Sequence, residues 1–204
     1  MAQTSTTLSG AKSHVVDISG TDISFTSTSG VYTIKSDGTV LTGAGKLAAF
    51  DLVTVTNSAN NNSTFTVKAV VSTTEFTVEE IVTTETADGS TSVTLDHTGF
   101  VTDKAKGDGY YSQPDGVHTV AYQIVNLGDS TDDFNGTIKM QGTLATTPTE
   151  DDWFDISGTT LTSDQSTTNH AYNFTGNFVW VRAKTETTNI SSNPSMVTSI
   201  LLNN

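Results

Sequence analysis

Cysteine is absent from this 204-residue chain. That excludes a disulfide framework, a cysteine-ligated zinc site and a thiol nucleophile. Basic residues are scarce: nine stand against 22 acidic ones, Arg182 is the single arginine, and the formal net charge is −13. Without a basic patch such a chain repels phosphate, and the nine cations are spread along it, so nucleic acid is not expected as a partner. No apolar run reaches the roughly 18 residues of a spanning helix, so membrane insertion is not expected. The opening MAQTSTTLSGAKSH has neither the charged start nor the apolar stretch of a secretory leader, and synthesis in the cytoplasm is expected. The usual helix formers Ala, Leu, Glu, Lys and Gln are sparse and scattered, and no window holds apolar residues at i, i+3, i+4 and i+7.

What fills the chain instead is Thr, Ser, Asn, Asp and Gly. Thr is β-branched and suits strands; the others suit turns. Many short strands joined by tight polar turns are therefore expected. Alternation is clearest in residues 134–156, FNGTIKMQGTLATTPTEDDWFDI. Ile138, Met140 and Leu144 fall to one face and Thr137, Lys139, Gln141 and Thr143 to the other, because successive strand side chains point opposite ways. Gly136 and Gly142 bracket the run, where a turn or a close backbone approach is expected. GNFVWVRAKT, 176–185, answers it, with Phe178, Trp180 and Arg182 on one face and Val179, Val181 and Ala183 on the other. These two strands and Trp153 are expected at the middle of a β-sandwich.

Runs at 15–18, 22–27, 31–36, 51–56, 64–71, 75–82 and 91–96 are punctuated by turn signals such as Ser29-Gly30, Asp37-Gly38 and Asp88-Gly89. They predict a small barrel or sandwich over 14–103. KAKGDGYYSQPDG, 104–116, clusters Gly, Pro and charge and reads as a linker. Runs at 117–126, 136–144, 152–156, 159–162, 170–174, 177–185 and 196–203 predict a second sandwich over 117–204. Residues 1–13 are small and polar, and read as an arm that is either flexible or ordered against a neighbouring subunit. The expected fold is all-β: two small antiparallel β-sandwich or barrel units joined by a short linker.

Two stretches carry a resemblance. In the first half Phe50, Asp51, Val53 and Val55 are followed by Asn61, Asn62, Thr64, Phe65, Thr66 and Val67, then by Ser72, Thr73, Thr74, Phe76, Thr77 and Val78. In the second half HTVAYQI (118–124), GTIKMQGTLATTP (136–148), DWFDI (152–156), NFTGNFVWVRA (173–183) and ILL (200–202) follow in order. The first pattern resembles a module of bacteriophage virion proteins, and the second resembles structural proteins of marine tailed phages. Together they cover most of the chain. The resemblance implies a virion component, made in the host cytoplasm and resident in the particle, in contact with other virion proteins and with copies of itself.

His14, His97, His118 and His170 stand in no metal-ligand spacing and read as strand-edge or subunit-contact residues. No phosphate-binding glycine loop or nucleophile elbow occurs, no cofactor is expected, and the protein reads as a non-enzyme. Asp129, Asp132 and Asp133 share one loop and Glu150, Asp151 and Asp152 another. They read as solvated turns, with a calcium ion bound between the loops as the alternative. Trp153 and Trp180 lie within apolar runs and read as core; exposed, they would instead form a sugar-stacking platform. Arg182 is expected to stack on Trp180 or to pair with Asp152 or Asp155. The leading expectation is an outer capsid decoration or cement protein. The alternatives are a tail, neck or fibre-associated subunit, a host-glycan-binding module and, last, a hydrolase.

Overall fold

The computed structural model describes residues 5–111, 116–124, 134–162, 169–187 and 197–203. Its strands are β1 (Ser5–Ser9), β2 (Ile18–Gly20), β3 (Ile23–Thr28), β4 (Val31–Ser36), β5 (Asp51–Thr56), β6 (Thr64–Ser72), β7 (Glu75–Val78) and β8 (Val93–Val101). They continue with β9 (Ala105–Lys106), β10 (Val117–Ile124), β11 (Gly136–Thr143), β12 (Phe154–Asp155), β13 (Leu161–Thr162), β14 (Asn169–Thr175), β15 (Trp180–Thr187) and β16 (Val197–Asn203). Among the described residues the helical pieces are two short 3-10 turns, Asp108–Tyr111 and Glu150–Asp152. The protein is all-β, and its ladders are antiparallel. No helix among the described residues is long and apolar enough to cross a membrane. The chain divides into two compact units, Val15–Phe100 and Met1–His14 together with Val101–Asn204.

In the first unit the strands run β2-β8-β5-β6-β7-β4-β3 across the sheet. Its interior is built by alternation: Ile23, Phe25, Ile34, Val53, Val55, Phe65, Val67, Phe76 and Leu95 are all within 2% of full burial. The β3–β4 hairpin turns on two residues, Ser29 at φ 53° and Gly30 at φ 78°. Two positive φ values are what a tight turn matched to strand twist requires. Half-buried carboxylates replace missing ladder bonds at the other turns. Asp22 accepts from Ser36 Oγ at 2.6 Å, Gly38 N at 2.7 Å, and Thr39 N and Oγ1 at 2.9 and 2.7 Å. These donors hold its carboxyl well below the usual carboxylate range. A Cβ on Gly20 would stand 2.6 Å from that same carboxylate, so the approach needs glycine there. Glu85 does the equivalent for the Asn-rich turn, accepting from Ala59 N, Asn60 N and Asn61 Nδ2 at 2.9–3.0 Å. The strand expected over 75–82 stops at Val78, because Glu80 turns back and accepts from Thr66 N at 2.7 Å and Thr66 Oγ1 at 2.8 Å.

The second unit holds a four-stranded sheet, β1-β16-β10-β14, and a set ordered β12-β11-β15-β9 with β13 also on β11. β11 and β15 pair over eight residues, from Gly136↔Thr187 to Thr143↔Trp180, as the facing alternations at 136–144 and 177–185 anticipated. Ile138, Met140, Val181 and Ala183 are fully buried. Leu144 is not: it lies one residue past the strand and is 65% exposed. Thr159, also fully buried, clamps the 156–159 turn onto the sheet. Its hydroxyl donates to Ile156 O at 2.7 Å and accepts from Met140 N at 3.1 Å, and its carbonyl accepts the Tyr122 hydroxyl at 2.8 Å.

The segments expected as an arm and as a linker each contain a strand of this unit. Ser5–Ser9, within the expected arm, pairs with β16, and Lys12 exchanges two backbone hydrogen bonds with Val197 at 2.9 and 3.2 Å. Within the expected linker, Ala105 and Lys106 pair with Val181 and Trp180. Both partners lie far along the chain, where local composition carries no trace of them.

Candidate functional site

Opposed residues on neighbouring strands share a face, and one face of the second unit collects charge and aromatic rings. Across β12, β11, β15 and β9 it reads Asp155 beside Gln141, Gln141 beside Arg182, Thr143 beside Trp180, and Trp180 beside Lys106. The Glu150–Asp152 turn is closed by a capping box, with Thr149 N and Oγ1 donating to Asp152 Oδ2 at 2.7 and 2.8 Å. That turn sets Glu150 and Trp153 over the sheet.

Arg182 is the hub. Its Nη1 and Nη2 donate to the two Glu150 oxygens at 2.7 Å each, and its Nε donates to Gln141 Oε1 at 2.9 Å. The guanidinium carbon stands 4.3 Å from the Trp153 ring centroid. Gln141 Nε2 passes the chain on to Asp155 at 2.9 Å, and Lys139 closes it between Asp155 at 2.8 Å and Glu186 at 3.2 Å. Hydrogen bonds from Lys139 and Gln141, working against partial burial, hold Asp155 below its ordinary range. The expected stacking partner, Trp180, and the expected carboxylates, Asp152 and Asp155, are thus not those that Arg182 uses. Asp152 is committed to Thr149 and Asp155 to Lys139. Glu150 is the residue that the 3-10 turn presents at the right height.

Both tryptophans are half-buried rather than core. Trp180 anchors its Nε1 on Thr146 O at 3.1 Å, packs on Tyr110 at 5.0 Å between centroids, and lies under the Lys104 ammonium at 5.0 Å. Lys106 lies 4.2 Å from the Tyr110 centroid. Tyr110 and Tyr111, 44% and 57% exposed, stand edge to face at 5.2 Å. Half-exposed rings are what a sugar platform requires, but cations occupy ring faces on which a sugar would stack.

The opposite side of β11 and β15 is aromatic, buried at His118, Phe174 and Phe178 and open at Phe154. Phe178 sits among His118, Phe154 and Phe174 at 6.1, 5.9 and 6.3 Å. His118 is fully buried, stacks on Phe174 at 4.8 Å and donates from Nε2 to Gly176 O at 3.1 Å. His97, in the first unit, is 2% exposed. Its Nδ1 accepts from Val15 N at 3.1 Å, and its Nε2 faces Asp51 Oδ1 at 3.7 Å. Neither ring is at the strand edge expected of it. Each is a folded-in polar group that ties down backbone.

Of the calcium candidates, Glu150 is engaged with Arg182 and Asp152 with Thr149. Asp151 is exposed on the same turn, and Asp129, Asp132 and Asp133 lie outside the described residues. Among the described residues no group of three or more His, Asp or Glu is placed to hold a metal ion.

One pair of carboxylates has a testable pH signature. Asp17 and Asp96 meet beside His97, and burial together with the Asp17 carboxylate pushes Asp96 up to about 6, against a smaller opposing pull from His97. A raised carboxyl pKa means that the folded state binds a proton which the unfolded state releases near pH 4. Between those two values each rise in pH removes stability. Asp96→Asn is therefore expected to stabilise the first unit at neutral pH and to lose that advantage toward pH 4. Urea unfolding of both proteins across that range measures it; a difference independent of pH contradicts the pairing.

Comparison of the chain with protein-family models, with curated proteins and with solved structures finds no match.

Proposed function

We propose that this protein is a non-enzymatic structural component of a bacteriophage virion, an outer decoration or cement subunit carried by the shell in many copies. The reading rests on the ordered motifs at 50–78 and 118–202, and the fold supplies a means of assembly. The observation that carries it is the edge of the four-stranded sheet. β14 pairs with β10 through seven consecutive residues without a bulge. On its other side it has no strand neighbour among the described residues. Its sequence, NHAYNFT, holds no lysine, arginine, carboxylate or proline. Monomeric proteins blunt such edges with charge, proline or bulges, because unpaired N–H and C=O groups accept a further strand. A flat neutral edge suits a subunit that lies against neighbours, where repeated modest contacts add by avidity. The partners are other virion proteins and further copies of this chain.

A tail or neck position is the second reading. It uses the same edges at low copy number. Gold-labelled antibody against the protein, imaged on intact particles of the phage that encodes it, separates the two. Label over the whole head supports the shell; label confined to the tail or neck supports the second reading; unlabelled particles refute both.

A further inference from the structure

The Tyr110–Trp180 face is built to be rigid and is left open. Gly107 N and Gly109 N donate to Val179 O and Phe178 O at 3.0 and 2.9 Å, which presses the 107–111 turn flat against the backbone before β15. A Cβ on Gly107 would stand 2.5 Å from Phe178 O, and one on Gly109 would overlap Asn177 O. Only glycine allows this approach, and its consequence is to fix Tyr110 beside Trp180, with Tyr111 edge to face on Tyr110. Tyrosine and tryptophan held in advance are typical of interface hot spots, because little side-chain freedom is left to lose on docking.

The charge of the face is opposite to that of the chain. Lys104 and Lys106, both exposed, are two of nine basic residues in a protein of net charge −13, and Arg182 beside them is 6% exposed. Glu150 neutralises Arg182, while Lys104 has no carboxylate within ion-pair distance among the described residues and lies against an aromatic ring. A lysine pinned over a ring keeps N–H donors directed outward, and the ligand that satisfies them is a carboxylate. A sugar would have to displace the ammonium; an acidic protein surface adds to it.

We propose that this face docks a second copy of the chain through an acidic part of that copy's surface. Since the cationic face and its acidic counterpart are different patches, the contact is heterologous and continues into rings or arrays. The inference deepens the building-block reading but is tested in solution, so its failure leaves the particle experiment to decide the former.

Sedimentation velocity of the full-length protein over a concentration series, at low and high salt, is the test. Self-association that weakens with salt is expected. Lys104→Glu combined with Tyr111→Ala, both at exposed positions, should weaken it by about tenfold or more while circular dichroism and Tm stay unchanged. A wild-type protein that remains monomeric throughout overturns the proposal, even if it binds an anionic polysaccharide. Association that the double variant leaves untouched overturns it equally.

Discussion

Arg182→Ala is expected to lower the stability of the second unit by about 2–4 kcal/mol, the range for removing one member of a largely buried ion pair that retains some solvent contact. Four interactions go at once: both Glu150 bonds, the Gln141 bond and the stack on Trp153. The loss is dominated by what remains, since Glu150 and the 7%-exposed Gln141 keep polar atoms that faced the guanidinium. Arg182→Lys keeps the charge but not the fork, and should recover less than half of the difference. Arg182→Met with Glu150→Leu removes both charges and should be milder than Arg182→Ala alone. Trp153 and Trp180, the two tryptophans of the chain, both lie in this unit. Tryptophan fluorescence during urea unfolding therefore reports this unit without contribution from the other. An Arg182→Ala protein within about 0.5 kcal/mol of wild type, the usual scatter of neutral surface changes, would mean that the hub is solvated ornament.

Phe178 tests the other side of the same strands. The ring is 8% exposed and lies over two glycines. A Cβ on Gly142 would stand 2.6 Å from its Cδ1, and Gly176, at φ 157°, leaves no room for a side chain beneath the ring. Phe178→Ala opens a cavity floored by residues with nothing to move into it, and a loss of about 3–4 kcal/mol is expected. Gly142→Val makes the complementary point. By strand propensity valine should improve the interior of β11. Here its side chain meets the Phe178 ring, and a loss of about 1–3 kcal/mol is expected from overpacking. A stabilised Gly142→Val protein would show that the ring lies elsewhere.

These two sites also show where local sequence stops being informative. The strands themselves were legible: 31–36 and 51–56 alternate over the residues that pair, and Ile138 and Met140 point into the core as the pattern requires. Alternation assigns residues to faces but does not say that both faces of β11 are covered. Gln141 and Thr143, 7% and 1% exposed, are as enclosed as the apolar set. Apolar neighbours suggested buried tryptophans, but Trp153 and Trp180 sit on the polar face, where Arg182 and Lys104 cover them. The Arg182–Glu150 pair spans 32 residues. The local sign of it was the Thr149–Asp152 capping box, which fixes a turn and with it the side chain that the turn presents. β1 and β9 exist only through their partners, β16 and β15. Gly107 and Gly109 looked like linker composition because close backbone approach and flexibility use the same residue.

The proposed virion role requires this protein to be a repeated part of a particle. Its direct measurement is the number of copies per virion, obtained by quantitative mass spectrometry of purified phage against the major shell protein. A count in the hundreds, as shell decoration predicts, supports it. Absence from purified particles would contradict it, whatever the fold.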